Sequence, residues 1–157
     1  MKKEIILGVV FMTFFISCKK EMETEEPPVV SEKIVVKESE FQECYQAILK
    51  KDTISLTLKI KNGELSSGNL SYNFYEKDKN EGTLVGELKG DTLYADYTFM
   101  SEGTSSVREV VFLKKDDSYI EGFGDVVDDN KGKVTFKDKK KLQFDGSIVL
   151  SKVDCKM

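Results

Sequence analysis

Apolar and polar side chains alternate with a period of two along most of the chain, and turn residues interrupt the alternation. The clearest run places Ile54, Leu56, Leu58 and Ile60 on one face, with polar residues between them. Such alternation is typical of a β-strand with one buried face. Asn62-Gly63 follows directly and supplies the two residues of positive φ that a type I′ hairpin requires. The pattern therefore predicts a β-hairpin here.

The same pattern predicts the later strands. Their shared faces are Leu70, Tyr72 and Phe74; Leu84, Gly86 and Leu88; Leu93, Ala95, Tyr97 and Phe99; Val107, Val111 and Leu113; Ile120, Gly122, Gly124 and Val126; Val134 and Phe136; and Phe144, Gly146, Ile148 and Leu150. With a first strand around Cys44 to Leu49, we expect eight or nine antiparallel strands in sequential hairpins and no helix. A meander of this size can curl and close, because closure removes exposed edges. The predicted fold class is all-β: a small up-and-down barrel, lipocalin-like in form, over residues 41–157, with an open sandwich as the alternative.

The first 17 residues follow a different pattern. Two lysines precede an apolar run from Ile5 to Ile16. This run is shorter than the ~20 residues that cross a bilayer, but it suits the hydrophobic region of a secretory signal peptide. It ends in Phe15-Ile16-Ser17-Cys18, which resembles the lipobox of bacterial lipoproteins, with Phe15 where that family usually has Leu. The resemblance implies that residues 1–17 are removed and that Cys18 is lipidated; a plain signal peptide with an incidental cysteine is the alternative.

Residues 18–40 are predicted to form a flexible acidic tether. They are rich in Glu and Lys, contain both prolines of the protein and lack aromatic residues, so they cannot bury enough apolar surface to fold. The segment from Cys18 to Glu23 resembles the export signals of surface lipoproteins in flavobacteria and their relatives. The membrane is then the first partner, held through two or three acyl chains. The implied location is the outer membrane, facing either the cell surface or the periplasm.

Charge limits the remaining partners. Removing residues 1–17 takes two lysines and one glutamate from a chain of formal net charge −4, and so leaves −5. Nucleic-acid binding requires a clustered basic face, whereas the dense basic run Lys137–Lys141 is interrupted by Asp138. We predict no nucleic-acid partner, and we interpret this run as a solvated turn.

Cys44 and Cys155 remain as a pair once Cys18 is acylated. In an oxidising compartment we expect them to form a disulfide. In the chain-entropy model, closing a loop of this length stabilises the fold by about 4 to 5 kcal/mol at most. A zinc site is disfavoured, because the chain has no histidine and no CxxC motif. No metal and no cofactor are predicted.

Several short segments between Cys44 and Cys155 carry a further resemblance. They are Glu76-Lys77-Asp78, Gly90-Asp91-Thr92-Leu93, Ala95-Asp96-Tyr97-Thr98-Phe99, Ser101-Glu102-Gly103 and Ser106-Val107-Arg108-Glu109-Val110. In these the chain is similar to a family of small uncharacterised lipoproteins from flavobacteria and their relatives. The resemblance supports location and fold, and it implies no activity. In architecture alone the predicted barrel also resembles periplasmic lysozyme-inhibitor lipoproteins, although no inhibitory loop motif is present.

No catalytic residues are predicted, and we expect the protein not to be an enzyme. Without histidine there is no Ser-His-Asp or Cys-His relay. Glu76 with Asp78, or Glu102 with Glu109, could flank a glycosidic bond, but nothing distinguishes these carboxylates from the many others. Asp125–Gly132 lacks the spacing of a calcium loop. We interpret that segment as an acidic turn.

Glu109 is the one anomaly, because alternation places it on the same face as Val107 and Val111, while Arg108 points to the opposite face. If that face is internal, the carboxylate is buried and needs a partner, such as the hydroxyl of Tyr72 or Tyr97. Two interpretations stay open. Glu109 forms a structural polar plug at the barrel mouth, or Glu109, Tyr72 and Tyr97 line a cavity for a small ligand.

The resulting functional hypothesis is a membrane-anchored binding module for a small amphiphile or a protein partner in the envelope. The alternative is a structural lipoprotein that coats the envelope without a ligand. Modification is also predicted, since Asp52-Thr53-Ile54 and Asp91-Thr92-Leu93 resemble the Asp-Ser/Thr-apolar acceptor sites of O-glycosylation known in this bacterial group. The resemblance implies that Thr53 and Thr92, both in predicted turns, carry glycans.

Overall fold

Ten strands and one 3₁₀ turn make up the computed structural model, which describes residues 39–77, 79–101 and 103–155. The strands are β1 Glu40–Leu49, β2 Asp52–Lys61, β3 Glu64–Asn73, β4 Asn80–Lys89, β5 Thr92–Ser101, β6 Thr104–Lys115, β7 Ser118–Glu121, β8 Val126–Asp128, β9 Lys133–Phe136 and β10 Val149–Val153. The 3₁₀ turn is Lys139–Lys141. The predicted signal peptide, the lipidation site Cys18 and nearly all of the predicted tether lie outside the described residues. Within those residues, no helix has the length and apolar character needed to span a membrane.

Eight of the strands close into an antiparallel barrel. β1 to β7 pair in chain order, β7 then pairs with β10, and β10 pairs with β1. Each barrel strand therefore has a hydrogen-bonded neighbour on both sides, and the wall has no free edge. The predicted all-β up-and-down barrel is confirmed, and the open sandwich is excluded.

Local turn chemistry shapes the hairpins. Asn62 and Gly63 both have positive φ, 53° and 84°, as the predicted type I′ turn requires. At Gly86, β4 comes very close to β5. A Cβ built on this residue would lie 2.0 Å from the carbonyl oxygen of Tyr94. Only glycine allows β4 to approach β5 this closely.

The barrel interior is filled by one alternating set of side chains from each strand. Its central members are Tyr45, Ala47, Ile54, Leu56, Leu58, Leu70, Leu84, Leu93, Ala95, Val110, Phe112, Tyr119 and Leu150. Burial of each large apolar side chain stabilises the fold by about 1.5 to 3 kcal/mol. The predicted inward faces of β2 and β5 are confirmed.

Residues 122–148, which we call the outer segment, leave the barrel wall between β7 and β10. Within this segment β8 and β9 form a hairpin, and β9 pairs in parallel with the first half of β6. The segment covers the outer face of β6, since a Cβ at Gly122 would touch both Phe144 and Val111 at under 3 Å. Two predicted strands are therefore wrong in extent. The chain from Ser118 breaks at Gly122, and the last strand begins only at Val149.

A disulfide joins the first and last strands of the barrel. Cys44 lies on β1 and Cys155 follows β10, with their Cα atoms 5.2 Å apart. The register brings them together, because Cys44 pairs with Val153 across the ladder. The predicted pairing is confirmed.

Candidate ligand-binding cleft

The two ends of the barrel differ in how their inward-facing polar side chains are partnered. At one end of the barrel, β1, β5 and β7 begin and a hairpin joins β2 to β3. We call this end the closed end. The opposite end, where β3 finishes and β6 starts, is the cleft end. Each end contains one largely buried glutamate, which is Glu43 at the closed end and Glu121 at the cleft end.

At the closed end, both oxygens of Glu43 have partners. Oε2 accepts from the Tyr45 hydroxyl at 2.9 Å and lies 3.5 Å from Lys114 Nζ, and Oε1 accepts from Lys152 Nζ at 2.9 Å. Burial alone raises the pKa of Glu43, but the hydrogen bonds from Lys152 and Tyr45 and the charge of Lys114 outweigh it, so the net pKa is lowered. Tyr119 completes this end, packing edge-to-face on Tyr45 with ring centroids 4.9 Å apart.

At the cleft end, β6 and β7 separate. Directly after β7, the Gly122 N–H donates to the Val111 carbonyl at 2.9 Å, and nearer its start β6 pairs with β9 instead. The separation leaves a cleft of about 260 Å³ between the barrel wall and the outer segment. Its main walls are Arg108, Val110 and Glu121 from the barrel and Val126, Val134 and Phe136 from the outer segment.

Glu121 is the charged group at the base of this cleft. It lies opposite Phe112 in the β6–β7 ladder, points inward and is only 7% exposed. Its Oε1 accepts from the Tyr72 hydroxyl at 2.6 Å, whereas its Oε2 is buried without a partner. Burial raises the pKa of Glu121, and the opposing effects of the Tyr72 hydrogen bond and the Arg108 charge do not cancel it.

The Tyr97 hydroxyl is the second unpartnered group at this end. Its ring lies 5.9 Å from that of Tyr72 and stacks on Phe99 at 4.7 Å. Burial raises the pKa of Tyr97 to about 12, so its hydroxyl stays protonated at neutral pH. Among the described residues, this hydroxyl and Glu121 Oε2 are the buried side-chain polar atoms that lack a hydrogen bond. A buried unsatisfied group costs about 1 to 3 kcal/mol, and of the two residues only Glu121 lines the cleft.

Arg108 supplies the positive charge at the cleft. It pairs with Tyr97 in the β5–β6 ladder, so its side chain starts on the inward face, and its guanidinium lies 5.8 Å from the centre of the Phe99 ring. The residue is exposed. Its charge is therefore partly screened by solvent.

The structure corrects the role predicted for Glu109. Val110 and Phe112 form the inward face of β6, so Glu109 and Val111 point outward. Glu109 borders the cleft from that side, but its carboxylate binds the outer segment, accepting from the Phe136 N–H at 2.9 Å and pairing with Lys139 Nζ at 2.5 Å. The prediction failed because the outer segment covers the outer face of β6 and makes both of its faces apolar.

Tyr72 and Tyr97 lie side by side in the barrel, but neither lines the cleft, and the carboxylate between barrel and cleft is Glu121. The sequence contains one signal for it. Tyr119 and Glu121 have the same parity on β7 and form its buried face, but the signal is weak because isoleucine, here Ile120 on the other face, is more often fully buried than tyrosine. Arg108 is the other functional residue that the predicted set lacked.

The predicted glycosylation positions lie in strands. Thr53 is the second residue of β2 and Thr92 the first of β5, and both are half-buried. Asp52, beside Thr53, accepts from the Tyr75 N–H at 2.7 Å. Glycosylation of Thr53 and Thr92 stays a prediction from the sequence.

In the acidic loop and in the basic run, aspartate carboxylates accept hydrogen bonds from backbone N–H groups of the same loop. Asp128 accepts from the Asn130 N–H at 2.7 Å, and Asp129 accepts from the N–H groups of Lys131 and Lys133, so these carboxylates stabilise their own turn. Asp138 likewise caps the 3₁₀ turn of the basic run. No group of carboxylates and thiols suited to a metal occurs in the described part of the chain. Glu76 is exposed and lies in a turn, and Asp78 and Glu102 lie outside the described residues.

No protein-family model, curated protein or solved structure matches this chain. The similarity to flavobacterial lipoproteins stays a prediction from the sequence.

Proposed function

We propose that this protein is a lipid-anchored lipoprotein of the bacterial envelope whose barrel binds a small amphiphile in the cleft. The observation that carries the proposal is the unpartnered buried oxygen of Glu121, Oε2, in a residue that lines a cleft with the apolar side chains of Val110, Val126, Val134 and Phe136. Apolar walls with a few convergent polar groups are the usual composition of small-molecule sites. The alkyl chain of an amphiphile suits the apolar walls, and its polar head group suits the unpartnered polar atom.

Energetics support the same proposal. The closed end shows that this barrel can satisfy a buried glutamate fully, because Glu43 has three donors around it. The unsatisfied groups at the cleft end cost stability in the unliganded protein. Sites that bind ligands commonly carry such a cost, since the ligand supplies the missing partners.

Filling the cleft tests the proposal. Val134→Phe places a larger side chain in the cleft wall, and Val85→Phe adds the same ring at a position on β4 that is 74% exposed. The full chain is purified from envelopes in three forms, and the small molecules that accompany each form are identified by mass spectrometry. We expect the wild type and Val85→Phe to carry the same amphiphile and Val134→Phe to lack it, with thermal unfolding used to confirm that each variant is folded.

Two results would contradict a ligand-binding role. The first is retention of the bound molecule by folded Val134→Phe, which would locate it elsewhere. The second is the absence of any bound molecule from all three forms, which would favour the structural, coating role instead.

The envelope location is supported by two features. One is the lipobox-like segment that ends at Cys18, and the other is the Cys44–Cys155 disulfide, a bond that persists in oxidising compartments. Labelling of cells with radioactive palmitate tests it directly. We expect the wild-type chain to be labelled and Cys18→Ala to be unlabelled; an unlabelled wild-type chain that retains its initiator methionine would overturn the proposal.

A further inference from the structure

The free oxygen of Glu121 constrains the head group that the cleft can accept. The charged and titratable groups that act on this carboxylate are Tyr72 and Arg108. Tyr72 uses its one hydroxyl hydrogen on Oε1, and Arg108 lies exposed at the rim. Oε2 is thus an acceptor in a buried position and awaits a donor.

We infer that the cleft selects an amphiphile with an ammonium head group, which donates to Glu121 Oε2. This inference deepens the proposed function and rests on it. The alkyl chain lies along Val126, Val134 and Phe136, which form the apolar wall of the cleft. An ammonium carries three donors and no acceptor, so it can donate to Oε2 without bringing an acceptor that would itself need a partner.

Charge distinguishes the ammonium from the other head groups. A hydrogen bond between a cation and a carboxylate is roughly twice as strong as one between neutral groups. A hydroxyl head can donate to Oε2, but it leaves the buried carboxylate without a counter-charge. A carboxylate head faces Glu121 as a like charge, and its attraction to Arg108 is weakened because the arginine is exposed to solvent.

Size limits the alkyl chain. The cleft of about 260 Å³ is slightly smaller than the ~300 to 1,000 Å³ typical of sites for drug-sized ligands. A short-chain amine is therefore the appropriate probe. We choose n-octylamine, which is an ammonium at neutral pH, and compare it with n-octanol and octanoate, which share its chain length and differ in the head group.

The experiment is calorimetric titration of the purified full chain with each of the three probes. We expect n-octylamine to bind about tenfold or more tightly than n-octanol and octanoate, which is the difference between a charged and a neutral hydrogen bond. Glu121→Gln keeps an acceptor for Tyr72 and removes the charge, so it should reduce n-octylamine affinity about tenfold. Arg108→Gln removes a competing positive charge and should strengthen n-octylamine binding.

The matched control is Glu43→Gln, which neutralises the buried glutamate at the closed end and should leave n-octylamine affinity unchanged. If thermal unfolding shows this variant to be unfolded, Val85→Phe on the outer barrel face replaces it. Octanoate binding as tightly as n-octylamine, with loss of octanoate binding in Arg108→Gln, would overturn the ammonium inference and leave the proposed function intact. Failure of all three probes to bind the folded wild type would reject both.

Discussion

Two glutamates inside one barrel have opposite electrostatic behaviour. At the closed end Glu43 is surrounded by Tyr45, Lys114 and Lys152, and its pKa is lowered. At the cleft end Glu121 has one hydroxyl partner, and its pKa is raised. Both carboxylates are largely buried, so burial alone does not determine the direction in which their pKa values are shifted. The number of donors around each one does.

The two glutamates have different numbers of hydrogen-bond donors because different strands surround them. At the closed end β1, β6 and β10 all contribute inward-facing residues, and two of these are lysines. At the cleft end β6 and β7 have separated, and the wall is completed by β9, whose residues at the cleft are apolar. An end with a fully partnered glutamate and an end with an unpartnered one thus follow from one change in strand pairing.

The largest expected effect concerns the closed end, which the disulfide holds together. Replacing Cys44 and Cys155 together by serine should lower the free energy of unfolding by about 2 to 5 kcal/mol, because the bridge closes a long loop in the unfolded chain. Urea unfolding with intrinsic tyrosine fluorescence measures this loss. An unchanged midpoint under non-reducing conditions would show that the bridge does not stabilise the barrel.

The next effect separates the two glutamates. Glu43→Gln should lower the free energy of unfolding by about 2 kcal/mol, because it breaks the network with Tyr45, Lys114 and Lys152 and leaves a buried hydroxyl poorly paired. The loss is moderated because both lysines are partly exposed. The stabilising contribution of Glu43 is present above its ordinary pKa of 4.5 and disappears as pH falls through the lowered folded-state pKa. A destabilisation that persisted unchanged in acid would contradict this origin.

The effect of Glu121→Gln on the free energy of unfolding should be opposite in sign to that of Glu43→Gln and smaller. We expect it to stabilise the unliganded protein by about 1 kcal/mol at neutral pH, because it removes a desolvated charge. A raised folded-state pKa means that protonation stabilises the fold. Wild-type stability should therefore fall, relative to Glu121→Gln, as pH rises from 4.5 through the folded-state pKa. Unfolding curves for both proteins across this range provide the measurement, and parallel pH profiles would refute the prediction.

The smallest effect concerns the wall of the cleft. Glu109→Gln keeps an oxygen for the Phe136 N–H but loses the ion pair with Lys139, so the expected destabilisation is about 0.5 kcal/mol. Hydrogen exchange should become faster at amides of β8 and β9 and stay unchanged around Tyr45 at the closed end. Equal acceleration at both ends would mean that Glu109 supports the whole barrel and not the outer segment alone.

Much of the fold could be predicted from local patterns. The alternation on β2, the turn at Asn62-Gly63 and the pairing of Cys44 with Cys155 each depend on few residues and simple rules, and all three are confirmed. The parallel pairing of β9 with β6 could not be predicted, because a long-range pairing leaves no periodic signal in either strand.

The candidate site was harder to predict for a physical reason. Alternation identifies the inward face only where the outward face is polar, and the outer segment makes Val111 as buried as Val110 and Phe112. Glu109 was therefore assigned to the interior, and Glu121 had the polarity of a solvent-facing residue. Tyr72 and Tyr97 were correctly grouped because their strands have a clear polar face.

The pairing of β1 with β10 also determines on which side of the barrel the protein can be attached to another body. The described chain enters the barrel at Glu40 and leaves it at Cys155, both at the closed end. Any linker, reporter or solid support joined to either of these points is therefore attached on the far side from the opening between β6 and β7. A small molecule can approach that opening without passing the point of attachment.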